Sequence, residues 1–338
     1  MKLAKKVIIG MSIISMVPLA NASDYEIKGD IRYRYENREA DEATEKSRER
    51  IRARIGVYGD INETISFGTR IATGGDGATS TNQDLDGSAA NKEIGLDLAY
   101  MTIDSLLFEG MDTTLGKMKQ PWECVSDLIY DSDVTPEGIA FNSTVGNVSY
   151  HLGHFILDEQ KGDDSQLASA QLTFTFDNGP LFGVSYYDFS NMSTEILNSK
   201  GENTVLNKKK DNTVEAFELT EFFASYKIET MPLPLKIFAN YVENGAADDA
   251  NTAYMVGVGT KSGKWGFDYN YRDLELNSVY DEWADSDFHD GGTGGQGHKF
   301  KAKYALKDDI SLGATYFQTE TEDKTEVNTL QIDLATKF

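Results

Sequence analysis

Residues 47 to 59 read SRERIRARIGVYG, with Arg48, Arg50, Arg52 and Arg54 at every second position and Ile51, Ala53, Ile55 and Val57 between them. Successive side chains of a β-strand point to opposite faces, so this stretch sets four guanidinium groups on one face and an apolar row on the other. An ordinary core would not accept four like charges. Groups of this kind order water, attract anions or pair with carboxylates. Other chemistry is scarce. Asn82, Asp84, Asp86, Gly87 and Glu93 stand at positions 1, 3, 5, 6 and 12 of a calcium-loop spacing, although position 1 is Asn where Asp is usual. With no helix expected on either side, the plainer reading is an acidic, glycine-containing loop. His151 and His154 are three apart and fall on opposite faces of a strand. The sequence has no G-x-S-x-G, no H-E-x-x-H and no Cys/His pair. Neither a catalysed reaction nor a cofactor is expected.

The chain opens MKLAKKVIIGMSIISMVPLANA: three lysines, an apolar run and an A-x-A site, which together predict a signal peptide over residues 1–22 cut after Ala22. The mature chain is then 23–338. It holds no apolar stretch of the ~20 residues that a spanning helix needs. Formal net charge is −23, from 32 Lys and Arg against 55 Asp and Glu, which disfavours nucleic acid as a partner. Cys124 is the only cysteine, so no intramolecular disulfide supports the fold. Seventeen Tyr and seventeen Phe against six Pro favour strands.

Period-two alternation bounded by turn residues predicts strands at 25–36, 48–59, 63–73, 92–103, 108–118, 137–143, 147–157 and 166–176. Eight more follow at 181–189, 214–228, 234–244, 252–261, 265–275, 297–306, 310–319 and 326–338, for sixteen in all. Most approach the ~9 to 11 residues that cross a bilayer as a tilted strand. The odd-numbered connections, 37–47, 74–91, 119–136, 158–165, 190–213, 245–251, 276–296 and 320–325, are long and polar. The even-numbered ones are short. Strict alternation places every long loop at one end of a closed antiparallel β-barrel. Such a barrel pairs all its backbone polar groups without an apolar helix.

The C-terminal residues NTLQIDLATKF place Leu330, Ile332, Leu334 and Phe338 on one face. They resemble the last strand of bacterial outer-membrane proteins, which the barrel-assembly machinery recognises. Together with the Arg-rich early strands and Gly116-Lys117-Met118-Lys119-Gln120-Pro121-Trp122, they make the chain similar to the "putative porin" family of Gram-negative bacteria. The resemblance implies an outer-membrane barrel passing small hydrophilic solutes passively, in contact with lipid and lipopolysaccharide, and often trimeric. It also implies that the third long loop, 119–136, folds inward and narrows the lumen, bringing Glu123, Asp127, Asp131 and Asp133 with it. If Ile51, Ala53, Ile55 and Val57 face lipid, Arg48 to Arg54 face the lumen, because Arg at the lipid-side midplane costs about 2 to 4 kcal/mol. Arg32, Arg34 and Arg70 extend that wall, and barrel closure adds Lys299, Lys301, Lys303 and Lys337. Acids facing a basic wall would set a transverse field across the constriction. Alternatively, Glu26, Asp30, Glu36 and Asp97 pair with the arginines and do no more. The acidic group Asp281, Glu282, Asp285, Asp287 and Asp290 reads as bridging divalent cations to lipopolysaccharide, or as simply solvated. A substrate-specific channel, for an anion such as phosphate, and a plugged structural or adhesin barrel are the alternative functions.

Overall fold

A computed structural model describes residues 25–41, 45–75, 77–177, 179–192, 217–230, 232–289 and 291–338. The predicted leader, Asp290 and most of the loop after residue 192 lie outside these residues. The strands are β1 (Tyr25–Ala40), β2 (Lys46–Asn62), β3 (Ile65–Thr73), β4 (Gln83–Asp84), β5 (Ile94–Ile103), β6 (Met111–Lys117), β7 (Glu137–Val145), β8 (Val148–Asp158) and β9 (Ser165–Thr175). They continue as β10 (Leu181–Ser190), β11 (Phe217–Ile228), β12 (Leu235–Asn244), β13 (Thr252–Ser262), β14 (Trp265–Leu274), β15 (Gly295–Ala305), β16 (Ile310–Thr321) and β17 (Glu326–Lys337). All pair antiparallel; the two-residue β4 lies inside the barrel on β2, so that β3 pairs with β5, and β1 pairs with both β2 and β17. The result is a closed barrel of sixteen strands, with no free edge along the closing seam.

The alternation that predicts the strands also decides which face meets lipid. On β1, Ile31 is 52% exposed and Tyr33 42%, whereas Arg34 is 5% exposed and Glu36 3%. Apolar residues therefore ring the outside and charged ones the inside.

Several connections depart from the expectation in length. Of the eight predicted long loops, the first spans only 41–45, because β1 and β2 run on past the predicted strand ends. Asn37 Nδ2 donates to Glu45 Oε1 at 2.5 Å and to Ser47 Oγ at 3.0 Å, which zips the polar end of this hairpin. The connections 159–164 and 322–325 are also short. At the other end, 104–110 is longer than predicted and β6 correspondingly shorter. Three described connections at the loop end remain long: 74–93, 118–136 and 275–294.

Loop 118–136 leaves the wall where Met118 N donates to the Pro136 carbonyl at 3.0 Å, beside a 2.7 Å Lys117–Glu137 ion pair. The step inward passes through Gly116, whose φ is +115°. A Cβ there would collide with the Ala99 carbonyl oxygen of β5. Gly116→Ala is therefore expected to destabilise the barrel by about 1–3 kcal/mol through strain at this φ, read as a lower urea midpoint in the heat-modifiable gel shift, with Thr114→Ala as a neighbouring control.

Candidate functional site

The basic wall is built by register. Arg32 lies opposite Arg52 and Arg34 opposite Arg50 across β1 and β2, while Asp30 faces Arg54 and Glu36 faces Arg48. Like charges directly opposite destabilise a strand pair, so each guanidinium needs a carboxylate. Asp30 takes Arg52 and Arg54, each at 2.8 Å, and Glu36 takes Arg48 and Arg50, the latter at 3.5 Å. Arg70 pairs with Asp97. Glu26, expected among these partners, pairs with Lys28.

Three inward loops and β17 supply the remaining carboxylates. Asp84 of loop 74–93 meets Arg50 Nε at 2.8 Å, where β4 pairs with β2. Asp133 of loop 118–136 meets Arg54 at 3.1 Å and accepts from Thr81 Oγ1 at 3.1 Å. Arg34 meets Asp287 of loop 275–294 at 2.9 Å and Asp333 of β17 at 2.7 Å. A second knot joins two of the loops. Arg272 Nη2 and Lys299 Nζ hold Asp127 at 2.8 and 2.7 Å, and the same two cations hold Asp285 at 3.1 and 3.2 Å. Asp131 N donates to the Trp283 carbonyl at 2.7 Å, and Ser286 Oγ to the Thr79 carbonyl at 3.1 Å.

Much of the rest of the lumen at this level is apolar, around a buried polar group of Gln171, Ser185, Glu221 and Asn240. Phe155, Leu167, Phe189, Phe217, Leu219 and Val242 on β8 to β12 are fully buried under Leu128, Ile129 and Tyr130 of one loop and Val279, Tyr280 and Trp283 of another. Both loops are thus amphipathic: one side grips the apolar half-wall and the other carries aspartates to the cations. Between them lies a cavity of about 330 Å³, lined by Arg32, Arg34, Arg52, Lys299 and Lys301 and, facing them, by Asp127, Asp131, Asp133, Asp285 and Asp287.

Several expected groupings change. Glu123 stays apart from the basic wall: its backbone hydrogen-bonds to the Gln171 side chain on the opposite side of the barrel, at 2.7 and 3.0 Å. Lys301 and Lys303 sit on the wall yet form no ion pair among the described residues. Asn82 accepts from Arg32 at 2.6 Å, Asp84 binds arginine and Asp86 pairs with Lys92 at 3.1 Å, so the calcium-loop residues are not gathered round one point with Glu93. No cluster of three or more His, Cys, Asp or Glu among the described residues could hold a metal ion. Asp285 and Asp287, expected on a solvated outer loop, lie inside the barrel on Arg272 and Arg34. Sequence reasoning did not put Arg272 in the site. The signal was its place on the inward row Gly266, Asp268, Asn270, Arg272 of β14.

A family model described as "putative porin" matches residues 14–220 and 223–338. The chain belongs to that family. Among curated proteins none matches the porin's sequence. Its fold is similar to that of a triple mutant of the Rhodopseudomonas blastica porin, at 10% identity and a TM-score of 0.56 over 93% of this chain and 100% of the other. A second variant of that porin gives the same identity, coverage and score. At such identities the likeness describes the fold alone.

Charge balance around this cavity is uneven. Burial opposes ionisation of Asp127, but Arg272 and Lys299 outweigh it and hold its carboxyl well below the usual range. Asp131 has no cation beside it: burial first, then the charges of Asp285, Asp133 and Asp287, push it up to about 8. A carboxyl raised in the folded state stabilises fully below its unfolded pKa near 3.8, and that contribution is lost as pH rises through about 8. Loop 118–136 is expected to become steadily more protease-sensitive from pH about 4 to about 8. Asp131→Asn should flatten that dependence, as scored by limited proteolysis of the detergent-purified protein.

Proposed function

We propose that this porin conducts small hydrophilic solutes through a constriction bounded by Arg32, Arg34, Arg48, Arg50, Arg52, Arg54 and Lys299 on the barrel wall and by Asp127, Asp131 and Asp133 on loop 118–136. Asp285 and Asp287 of loop 275–294 complete the acidic side. The observation that carries this reading is the cavity in which both charge sets meet. Cations and carboxylates fixed across a narrow, water-accessible space orient dipolar solutes and penalise apolar ones. The other acids lie in direct ion pairs with the wall and Asp131, pushed up to about 8, is largely neutral at pH 7, so any transverse field is sharpest at Lys301, which has no ion pair among the described residues.

The chain acts as a channel and catalyses no reaction in this reading. Its leader, residues 1–22, is removed on export to the outer membrane. Lipid and lipopolysaccharide surround the apolar belt, the assembly machinery reads the strand ending in Phe338, and three copies associate. These points rest on the leader's composition and on the family resemblance.

One observation favours a second reading. Three loops interlocked by hydrogen bonds and paired charges could close the lumen and leave a structural barrel. Planar-bilayer recording under a KCl gradient separates the two. Wild type is expected to give large conductance, and Arg50→Ala/Arg52→Ala to shift the reversal potential towards cation preference, because Glu36, Asp84, Asp30 and Asp133 lose counter-charge. Conductance without a shift reduces these arginines to scaffolding, and the absence of conductance supports the plugged barrel.

A further inference from the structure

The loop end of the lumen matches nearly every cation with an acid, but the turn end does not. Inward-facing positions on the turn halves of β11 to β15 include Lys227, Lys236, Lys261, Lys301 and Lys303, as the strand alternation fixed by Glu221, Asn240, Met255, Arg272 and Lys299 requires. Only one carboxylate shares that surface, Asp268, which lies opposite Lys301. None of the five lysines forms an ion pair among the described residues, and all but the half-buried Lys236 are exposed. This stands out in a chain carrying 55 acidic and 32 basic residues.

Two independent features of the backbone register sharpen the point. Lys227 and Lys236 stand directly opposite one another on β11 and β12. A like-charged pair in that position is unfavourable unless an anion lies between or above it. Further round the wall, Lys261 and Lys303 both flank Gly266, one on each side, and Gly313 follows Lys303 in the same row. A Cβ at Gly266 would meet nothing closer than the Thr260 carbonyl at 3.9 Å, and one at Gly313 nothing closer than the Cβ of Asp333 at 3.7 Å, the next residue of the row, whose carboxylate is held by Arg34. The row therefore alternates ammonium groups with open floor. Neighbouring strands lie about 4.8 Å apart, so the Cα atoms of Lys261 and Lys303 are about 10 Å apart. Two long side chains can close that span on a ligand bearing several negative oxygens.

We propose that the turn-side half of the lumen is a binding vestibule for small multivalent anions, phosphorylated or polycarboxylate solutes, with Lys261 and Lys303 as the principal clamp and Lys227, Lys236 and Lys301 as the surrounding field. The inference rests on the channel reading for its role in transport, but not for binding itself. Multivalent anions would collect at this mouth before meeting the constriction, where Lys301 leads into the 330 Å³ cavity. The attraction is electrostatic and weakens as salt rises.

The test uses the full chain in detergent, titrated calorimetrically at low salt with tripolyphosphate and separately with citrate. Wild type is compared with Lys261→Gln/Lys303→Gln. A second control is Lys324→Gln, an exposed lysine at the opposite end that pairs with Glu320. The substituted clamp residues are exposed to lumen water, and retention of the heat-modifiable gel shift confirms the barrel. Removing two unit charges is expected to raise the Kd about tenfold, with Lys324→Gln within about twofold of wild type. Tighter binding of tripolyphosphate than of citrate assigns phosphorylated solutes, and the reverse assigns polycarboxylates. Equal Kd for wild type and the double variant, or no heat of binding by wild type, overturns the vestibule. Bilayer recording judges the channel separately: a protein that binds tripolyphosphate but never conducts keeps the vestibule and loses the channel.

Discussion

Guanidinium groups inside a barrel are tolerated only beside carboxylates, and this pairing dictates much of what else the molecule does. β1 and β2 bring Arg32 against Arg52 and Arg34 against Arg50. Asp30 and Glu36, on β1 itself, neutralise part of the array. The remainder is answered from a distance by Asp84, Asp133, Asp287 and Asp333. A buried pair broken at one partner costs about 3–5 kcal/mol, so each loop aspartate is held in place by the penalty of leaving its arginine alone. Inward folding of three loops follows from that constraint.

The loops need a second anchor, since ion pairs alone would leave their other face in water. That anchor is the apolar half-wall of β8 to β12, where Phe155, Leu167, Phe189, Phe217 and Leu219 receive Leu128, Ile129, Tyr130 and Trp283. Trp122 sits at the junction, with ring centroids 4.9 Å from Tyr130 and 5.5 Å from Tyr187. The lumen is therefore divided lengthwise into a charged half and a mainly apolar half, with the 330 Å³ cavity beside the charged one. Along the barrel it is divided again, packed at the loop end and lysine-lined at the turn end.

Much of this was legible beforehand. Strand existence followed from period-two alternation, and ladders such as Trp265, Phe267, Tyr269 and Tyr271 against Gly266, Asp268, Asn270 and Arg272 left little freedom of face. The basic wall was legible for the same reason, because a one-residue slip would have put Arg48 to Arg54 into lipid. What was hidden depended on loops. Nothing local in Asp285 or Asp287 says whether they meet solvent or Arg272 and Arg34. Sequence separation of 253 residues between Arg34 and Asp287 carries no periodic signal. Glu123 failed differently: it shares a loop with Asp127, but the chain turns between them, and four residues suffice to face opposite walls. The apolar half-wall was hidden because strands such as FELTEFF mix polar and apolar residues on both faces, with Glu221 beside Phe217 and Leu219 inward and Phe222 beside Glu218 and Thr220 outward, so their inward side gave little contrast.

The seam between β1 and β17 has a kinetic meaning. Arg34 Nε donates to Asp333 Oδ1 at 2.7 Å across a separation of 299 residues, joining the first strand to the last. Until β17 has been delivered, that guanidinium lacks one of its two carboxylates. Asp287 cannot take its place inside a lumen that is not yet enclosed. Contacts this distant in sequence slow folding through the entropy of closing the chain. Neutralisation of the wall therefore comes late and all at once, so that a truncated or half-built barrel keeps uncompensated arginine and is marked as unfinished by its own charge.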